Sequence, residues 1–209
     1  MATARRAGAR DVFVNCPFDA EYHDTFRALI FAIIACGFRP RASLETDNGG
    51  ETRLEKLYRI IEECRFGVHD LSRTELDPNH HLPRFNMPLE LGLFLGARRY
   101  GRGKQRGKCV LILDRNKYRY QKFISDLAGV DPHAHGGRPN AAIKATRDWL
   151  GTESHLDLPG GHEIIKRYRS YRRALPKLAL DLQLDPNTLT YADFVKLTTR
   201  WVMQDIQKP

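Results

Sequence analysis

Long hydrophobic runs are missing from this chain. No apolar stretch approaches the roughly 20 residues that a membrane-spanning helix needs, so a membrane partner is not expected. The opening MATARRAGAR is basic and has no apolar centre, which is not the build of a secretory signal; residues 1–10 read as a disordered leader. Cysteine is sparse, at Cys16, Cys36, Cys64 and Cys109, with no C-x-x-C pair, so neither a zinc site nor a disulfide framework is signalled. Cys36, Cys64 and Cys109 lie in apolar segments and read as small core residues, a usage that fits the cytoplasm. There is no internal repeat and no low-complexity tract. The G-x-G-x-x-G dinucleotide fingerprint is absent after the first strand.

What remains is an ordinary globular composition over 209 residues, 42 % hydrophobic and 10 % aromatic, enough for one large domain or a domain with an extension. A net charge of +9 suits nucleic acid or a phosphate-bearing ligand, and equally a solvated surface rich in arginine.

Periodicity supplies the element order. Asp11–Asn15 reads as a strand, Glu21–Cys36 as a helix with Phe26, Leu29, Ile30 and Ile33 on one face, and Phe38–Leu44 as a second strand. Arg53–Cys64, opened by Glu51 or Thr52, is a second helix. Phe66–Asp70 is a third strand, Met87–Tyr100 a helix with Leu89, Leu93 and Phe94 on its apolar face, and Cys109–Leu113 a fourth strand, apolar enough to be central. Tyr118–Leu127 has helical character, and Gly129–His135 can hold a short edge strand. The alternation predicts an α/β, flavodoxin-like (Rossmann-type) parallel sheet of four to five strands with helices on both faces, over residues 11–137. Residues 138–209 read as a C-terminal helical extension, with helices Asn140–Leu150, His162–Leu175 and Tyr191–Ile206, the last capped by Thr190. A separate small helical domain is the alternative.

The stretch Phe66–Gly101 brings two acids to one rim, Asp70 closing a strand and Glu90 in the first turn of the next helix. In an open α/β sheet that rim is where ligands bind. Glu90 reads as a nucleophile or acid, or as a first-turn residue that complements the helix dipole; spacing alone favours the latter. Asp70 reads as an acid/base or hydroxyl-binding group, or as the acceptor of a local turn. Asn15, Cys16, Pro17, Phe18 and Asp19 form the first-strand turn, with Tyr22 one turn on; Asp19 also suits a helix cap. Glu45 and Asp47 close the second strand and suit ribose hydroxyls or a plain polar turn. His80 and His81, and the pair His133 and His135, lack a third metal ligand of convincing spacing, so no metal and no cofactor is assigned. Cys16 lacks a histidine placed by sequence to activate it. Lys166, Arg167, Arg169, Arg172, Arg173 and Lys177, interleaved with Tyr168 and Tyr171, form a stretch able to bind nucleic acid or simply to face solvent.

The ordered set Asp70-Leu71-Ser72, Asn86-Met87-Pro88-Leu89-Glu90-Leu91-Gly92 and the CVLIL strand resembles the core of the nucleoside 2-deoxyribosyltransferase and nucleotide N-glycosidase group, over about Asp11 to Asp114. The scaffold is close to that of bacterial TIR-like domains, some of which cleave NAD and serve in antiphage defence. The resemblance implies cytoplasmic cleavage or transfer of an N-glycosidic bond in a nucleotide or NAD-like small molecule. Glu90 would be the nucleophile and Asp70 its partner. The turn Asn15, Pro17, Phe18 and Asp19 with Tyr22 is where the group holds the sugar and any phosphate. Ser72, Arg84, Asn86 and Met87 complete the expected substrate contacts, with Arg84 or Arg73 meeting phosphate, although Arg84 and Asn86 belong to extra loop residues that have no role in the group. Self-association is compatible with it, and nucleic acid is the lesser partner. A non-catalytic nucleotide-sensing or self-assembling module is the alternative. The Asn-Cys-Pro-Phe turn and the helical tail depart from the group's pattern.

Overall fold

A computed structural model describes residues 8–46, 48–76 and 81–207. The remainder of the expected leader, together with Asp47 and His80, lies outside the described residues. Residues 8–10 form a turn, with the Arg10 guanidinium over the Phe38 ring, so this end of the leader is packed. The elements follow as β1 (Asp11–Asn15), α1 (His23–Ala35), β2 (Arg39–Arg41), α2 (Arg53–Glu63), β3 (Phe66–Asp70), α3 (Asn86–Tyr100), β4 (Cys109–Asp114), β5 (His133–Ala134), α4 (Pro139–Ser154), α5 (Gly161–Leu180) and α6 (Tyr191–Ile206).

All strand pairings are parallel, in the order β2-β1-β3-β4-β5. This is the flavodoxin-like order, in which the chain reverses direction across the sheet between β1 and β3. The carboxyl ends of β1 and β3 are therefore the switch point, the place where folds of this kind form a ligand crevice. β3 is the middle strand, and the apolar β4 lies one place further out. β2 keeps only three residues of the expected Phe38–Leu44 run, since it is an edge strand whose Pro40 offers no N–H to the ladder. Tyr118–Leu127 forms two 3₁₀ turns, Arg119–Lys122 and Ser125–Leu127, instead of a helix.

The pleat divides the core. Val12, Val14, Phe66, Val68, Leu111 and Leu113 face α1 and α4, while Phe13 meets α2 and α3 on the other side. The buried stripe of α3 is Met87, Glu90, Leu91 and Phe94; the expected stripe through Leu89 fails because Leu89 is exposed. α2 begins in a full capping box, Thr52 with Glu55.

α1 carries the main departure from expectation. Instead of one apolar face, every residue from Ala28 to Ala35 is buried. A helix apolar all round needs cover on every side, and α4, α5 and α6 provide it. Phe31 sits against Tyr168, Tyr171 and Trp201 of the tail at centroid distances of 5.2, 5.2 and 6.0 Å. α4 joins α1 over the sheet, and α5 and α6 pack outside them within the same continuous core. α5 runs past its expected end, through Pro176. The carbonyl that Pro176 leaves unbonded belongs to Arg172, on the exposed face, where water can satisfy it. α6 matches its expected limits, and the Thr190 hydroxyl accepts from the Asp193 N–H at 3.1 Å.

One shared core has a measurable consequence. Phe31→Ala is expected to cost about 3–5 kcal/mol and to lower a single cooperative thermal transition. A second, unshifted transition in calorimetry would show that the tail folds by itself.

Candidate active site

Asp70 closes β3 with no exposed surface. Three groups converge on its carboxylate. The Ser72 N–H donates to Oδ1 at 2.8 Å, closing a tight turn after the strand. The Tyr22 hydroxyl, from the turn that leads into α1, donates to Oδ2 at 2.5 Å. His135 Nε2, just past β5, lies 3.0 Å from Oδ2, with its ring turned off the ideal hydrogen-bond line. The Gly137 N–H donates to His135 Nδ1 at 3.0 Å, which leaves the proton of the neutral ring on Nε2, toward Asp70. Burial pushes the Asp70 carboxyl up, but His135, Ser72 and Tyr22 together outweigh it and hold the carboxyl below its usual range. Burial and the Asp70 charge push the Tyr22 phenol well up, so it stays a donor.

Glu90 is the fifth residue of α3, one position beyond the first turn expected for it. It neither caps the helix nor sits among the terminal amides. It lies three residues from Met87 and four from Phe94, on the inward stripe, and is 5 % exposed. Burial raises its carboxyl above the ordinary range, and the Arg53 guanidinium, 3.5 Å away, pulls back only part of that. The capping explanation, ahead on spacing alone, does not fit this position. The buried Cys16 thiol is pushed well up by desolvation and by the charges of Asp70, Glu90 and Asp19. It is a neutral neighbour of those carboxylates and has no nucleophilic character.

The remaining candidates divide. The Asn15 amide donates to the Met87 carbonyl at 2.8 Å and to His69 Nδ1 at 3.0 Å, tying the ends of β1 and β3 to the start of α3. Burial keeps His69 neutral, at about 3. Met87 points into the core with Leu71, Leu91, Ile112 and Tyr120. Pro17 and Ser72 are buried, and Asn86 is exposed at the first position of α3. Phe18 is partly exposed, edge-on to Phe26 at 5.3 Å. Asp19 accepts from the Tyr22 N–H at 3.1 Å, fixing the turn before α1. Its other oxygen meets Arg73 at 3.4 Å and Arg84 at 3.3 Å, and Arg73 also pairs with Glu21. Both arginines expected to meet phosphate thus already have an acid partner. Glu45 is held by Arg41 through two contacts of 2.6 Å, which accounts for it without a ribose.

Sequence reasoning missed His135, Arg53 and Asp114. His135 was grouped with His133 as a metal-like pair, yet His133 is exposed on β5 while His135 turns in to Asp70. Asp114 closes β4 on the same sheet edge, fully buried. Its Oδ1 takes the Arg115 N–H at 2.6 Å and Arg119 Nε at 2.9 Å, and among the described residues Oδ2 has no partner. Burial raises its carboxyl despite Arg119. For two of them the available signal was positional: Asp114 closes β4 and His135 follows β5 of one parallel sheet, whereas Arg53 opens α2. Among the described residues no three His, Cys, Asp or Glu side chains gather as a metal site.

The two acids should respond oppositely to replacement. Folding raises the Glu90 carboxyl, so its stabilising contribution is present below its unfolded value and is lost as pH rises through the folded one. Glu90→Gln should therefore melt above wild type at neutral pH, the gap closing as pH falls through the carboxylate range. Folding lowers Asp70, whose contribution is present above its unfolded value and is lost as pH falls through the folded one. Asp70→Asn should cost about 3–5 kcal/mol at neutral pH, less in acid. Thermal melts across pH test both signs. Comparison with protein-family models, curated proteins and solved structures returned no match.

Proposed function

We propose that this crevice cleaves or transfers the N-glycosidic bond of a nucleotide or NAD-like substrate, with Glu90 as the reacting carboxylate. The observation that carries the reading is the contrast between two buried acids that both bear on Cys16, one held low and one held high. Such separation gives two carboxyl groups different tasks at one pH. Glycosidic cleavage passes through an oxocarbenium-like transition state with positive charge at the anomeric carbon. A carboxylate taken out of water and only partly compensated, as Glu90 is by Arg53, gains most when that charge develops beside it. The same group can collapse onto the carbon to form a glycosyl ester.

Asp70 is better suited to orientation than to attack, because its oxygens already accept from Ser72 and Tyr22. It fixes the Tyr22 hydroxyl and the His135 ring at the crevice floor. The resemblance in the D-L-S and E-L-G segments supports the same division of roles. In bacteria such an activity would serve as a defence effector.

The test is product release. Wild type incubated with mixed nucleotides and NAD should liberate free base or nicotinamide, seen by chromatography. Glu90→Gln should lower the rate by at least about a thousandfold, as expected for loss of a reacting group. Turnover unchanged in that variant would overturn the assignment.

A second reading draws on Leu76, Leu82, Phe85 and Leu89, each more than half exposed around the loop before α3 and its first turns. An apolar patch of this kind suits a self-assembling, ligand-sensing module. Binding of nucleotide with assembly and without products would favour it.

A further inference from the structure

The rim carries a second feature that the reacting acids do not use. A cavity of about 580 Å³ lies where the start of α4 meets α5, lined by Arg138, Pro139, Asn140, Tyr168, Arg169 and Arg172. That volume falls within the range of small-molecule sites. Three of the cavity's seven lining residues are arginines. Arg172 touches Asp24 at 3.4 Å and lies 5.9 Å from the centre of the Tyr168 ring, while the Tyr168 hydroxyl donates to the Asp24 carbonyl at 3.3 Å. Among the described residues neither Arg138 nor Arg169 has an acidic partner within salt-bridge distance. No side chain caps α4, and Pro139 stands at its first position, so the positive end of the helix is turned to the same space.

The cavity is tied to Asp70 by two short paths. Arg138 is three residues from His135, a span of at most about 11 Å, and its N–H donates to the His135 carbonyl at 3.0 Å. Asp24, which holds Tyr168 and Arg172, is two residues from Tyr22. The cavity therefore lies on the outer side of the turn before α1, next to the segments that carry Tyr22 and His135.

We propose that the cavity binds the phosphate or pyrophosphate of a nucleotide ligand, with Arg138 and Arg169 as its principal contacts and Arg172 as a fixed third. Guanidinium forks match phosphate oxygens in pairs, and arginines without a local acid partner hold their charge for an incoming anion. This inference rests on the nucleotide reading of the crevice and names the part of the substrate that the acids do not touch. It also gives the basic stretch Lys166–Lys177 a defined role. Arg167 is buried against Asp205 at 2.7 Å, and Tyr168 and Tyr171 are core residues, so the stretch is not an open stacking surface for bases.

The test is equilibrium binding of AMP, adenosine and inorganic pyrophosphate, made on Glu90→Gln so that turnover plays no part. AMP should bind at least about tenfold more tightly than adenosine, and pyrophosphate should compete with it. In Arg138→Gln/Arg169→Gln the ratio of the two affinities should fall toward one. Lys196→Gln/Arg200→Gln, which removes the same charge from exposed positions of α6, should leave the ratio intact. No preference for AMP, or a preference that survives in the Arg138/Arg169 variant, overturns the subsite. Loss of single-stranded RNA binding alone in that variant also overturns it, since the cavity would then serve a polymer. A clear AMP preference beside unchanged turnover in Glu90→Gln would keep the subsite and reject the catalytic assignment.

Discussion

The buried carboxylate of Asp70 is the constraint on which the crevice depends. A charge with no exposed surface persists only if donors surround it. Here the turn after β3 and the turn before α1 supply the two donors, Ser72 N–H and the Tyr22 hydroxyl, and the segment after β5 brings the His135 ring to 3.0 Å. Satisfying one side chain therefore fixes the relative position of three strand ends. Glu90 is the opposite case. It sits on the inward stripe of α3 with one partly exposed guanidinium beside it, so its ionised form is under-compensated. Rigid support around one acid and incomplete support around the other is a common arrangement where chemistry replaces stability.

The tail matters to the site through α1. That helix begins one residue after Tyr22 and is covered on its outer side by α4, α5 and α6. The Tyr168 and Arg172 contacts to Asp24 pin its first turn from outside, while Tyr22 pins the preceding turn from inside. The sheet edge, the helix start and the tail are thus successive layers around one short segment.

The fold was largely legible because its signals are local. The apolar runs of the strands and the Thr190 cap depend on neighbours in sequence, and the parallel sheet follows from the β-α alternation. The start of α2, open between Glu51 and Thr52 in the sequence, is decided by the Thr52–Glu55 capping box of the structure. The failures have a common physical origin in tertiary context. Eight consecutive buried residues in α1 could not be told from a one-sided helix until the tail supplied its cover. Leu89 and Glu90 exchanged their expected environments because α3 is rotated by roughly 100° for each residue of register, so the carboxylate and not the leucine points inward. Asp70 and Glu90 could be singled out because each stands at a boundary between elements. His135 could not, because its contact with Asp70 joins residues that only the sheet brings together. The arginines at Arg138 and Arg169 were separated by a helix and a loop, and only their packing makes them neighbours.

Asn15 is small and buried, yet it carries an architectural load out of proportion to its size. Its single amide nitrogen bridges the middle strand and the first turn of α3 by bonding His69 and the Met87 carbonyl. The distance between the strand that ends in Asp70 and the helix that carries Glu90 is thereby gauged by one planar group. A shorter or branched residue at this place would let the two walls of the crevice drift, so the spacing of the acids behaves as a machined tolerance, set at the switch point and not by the acids themselves.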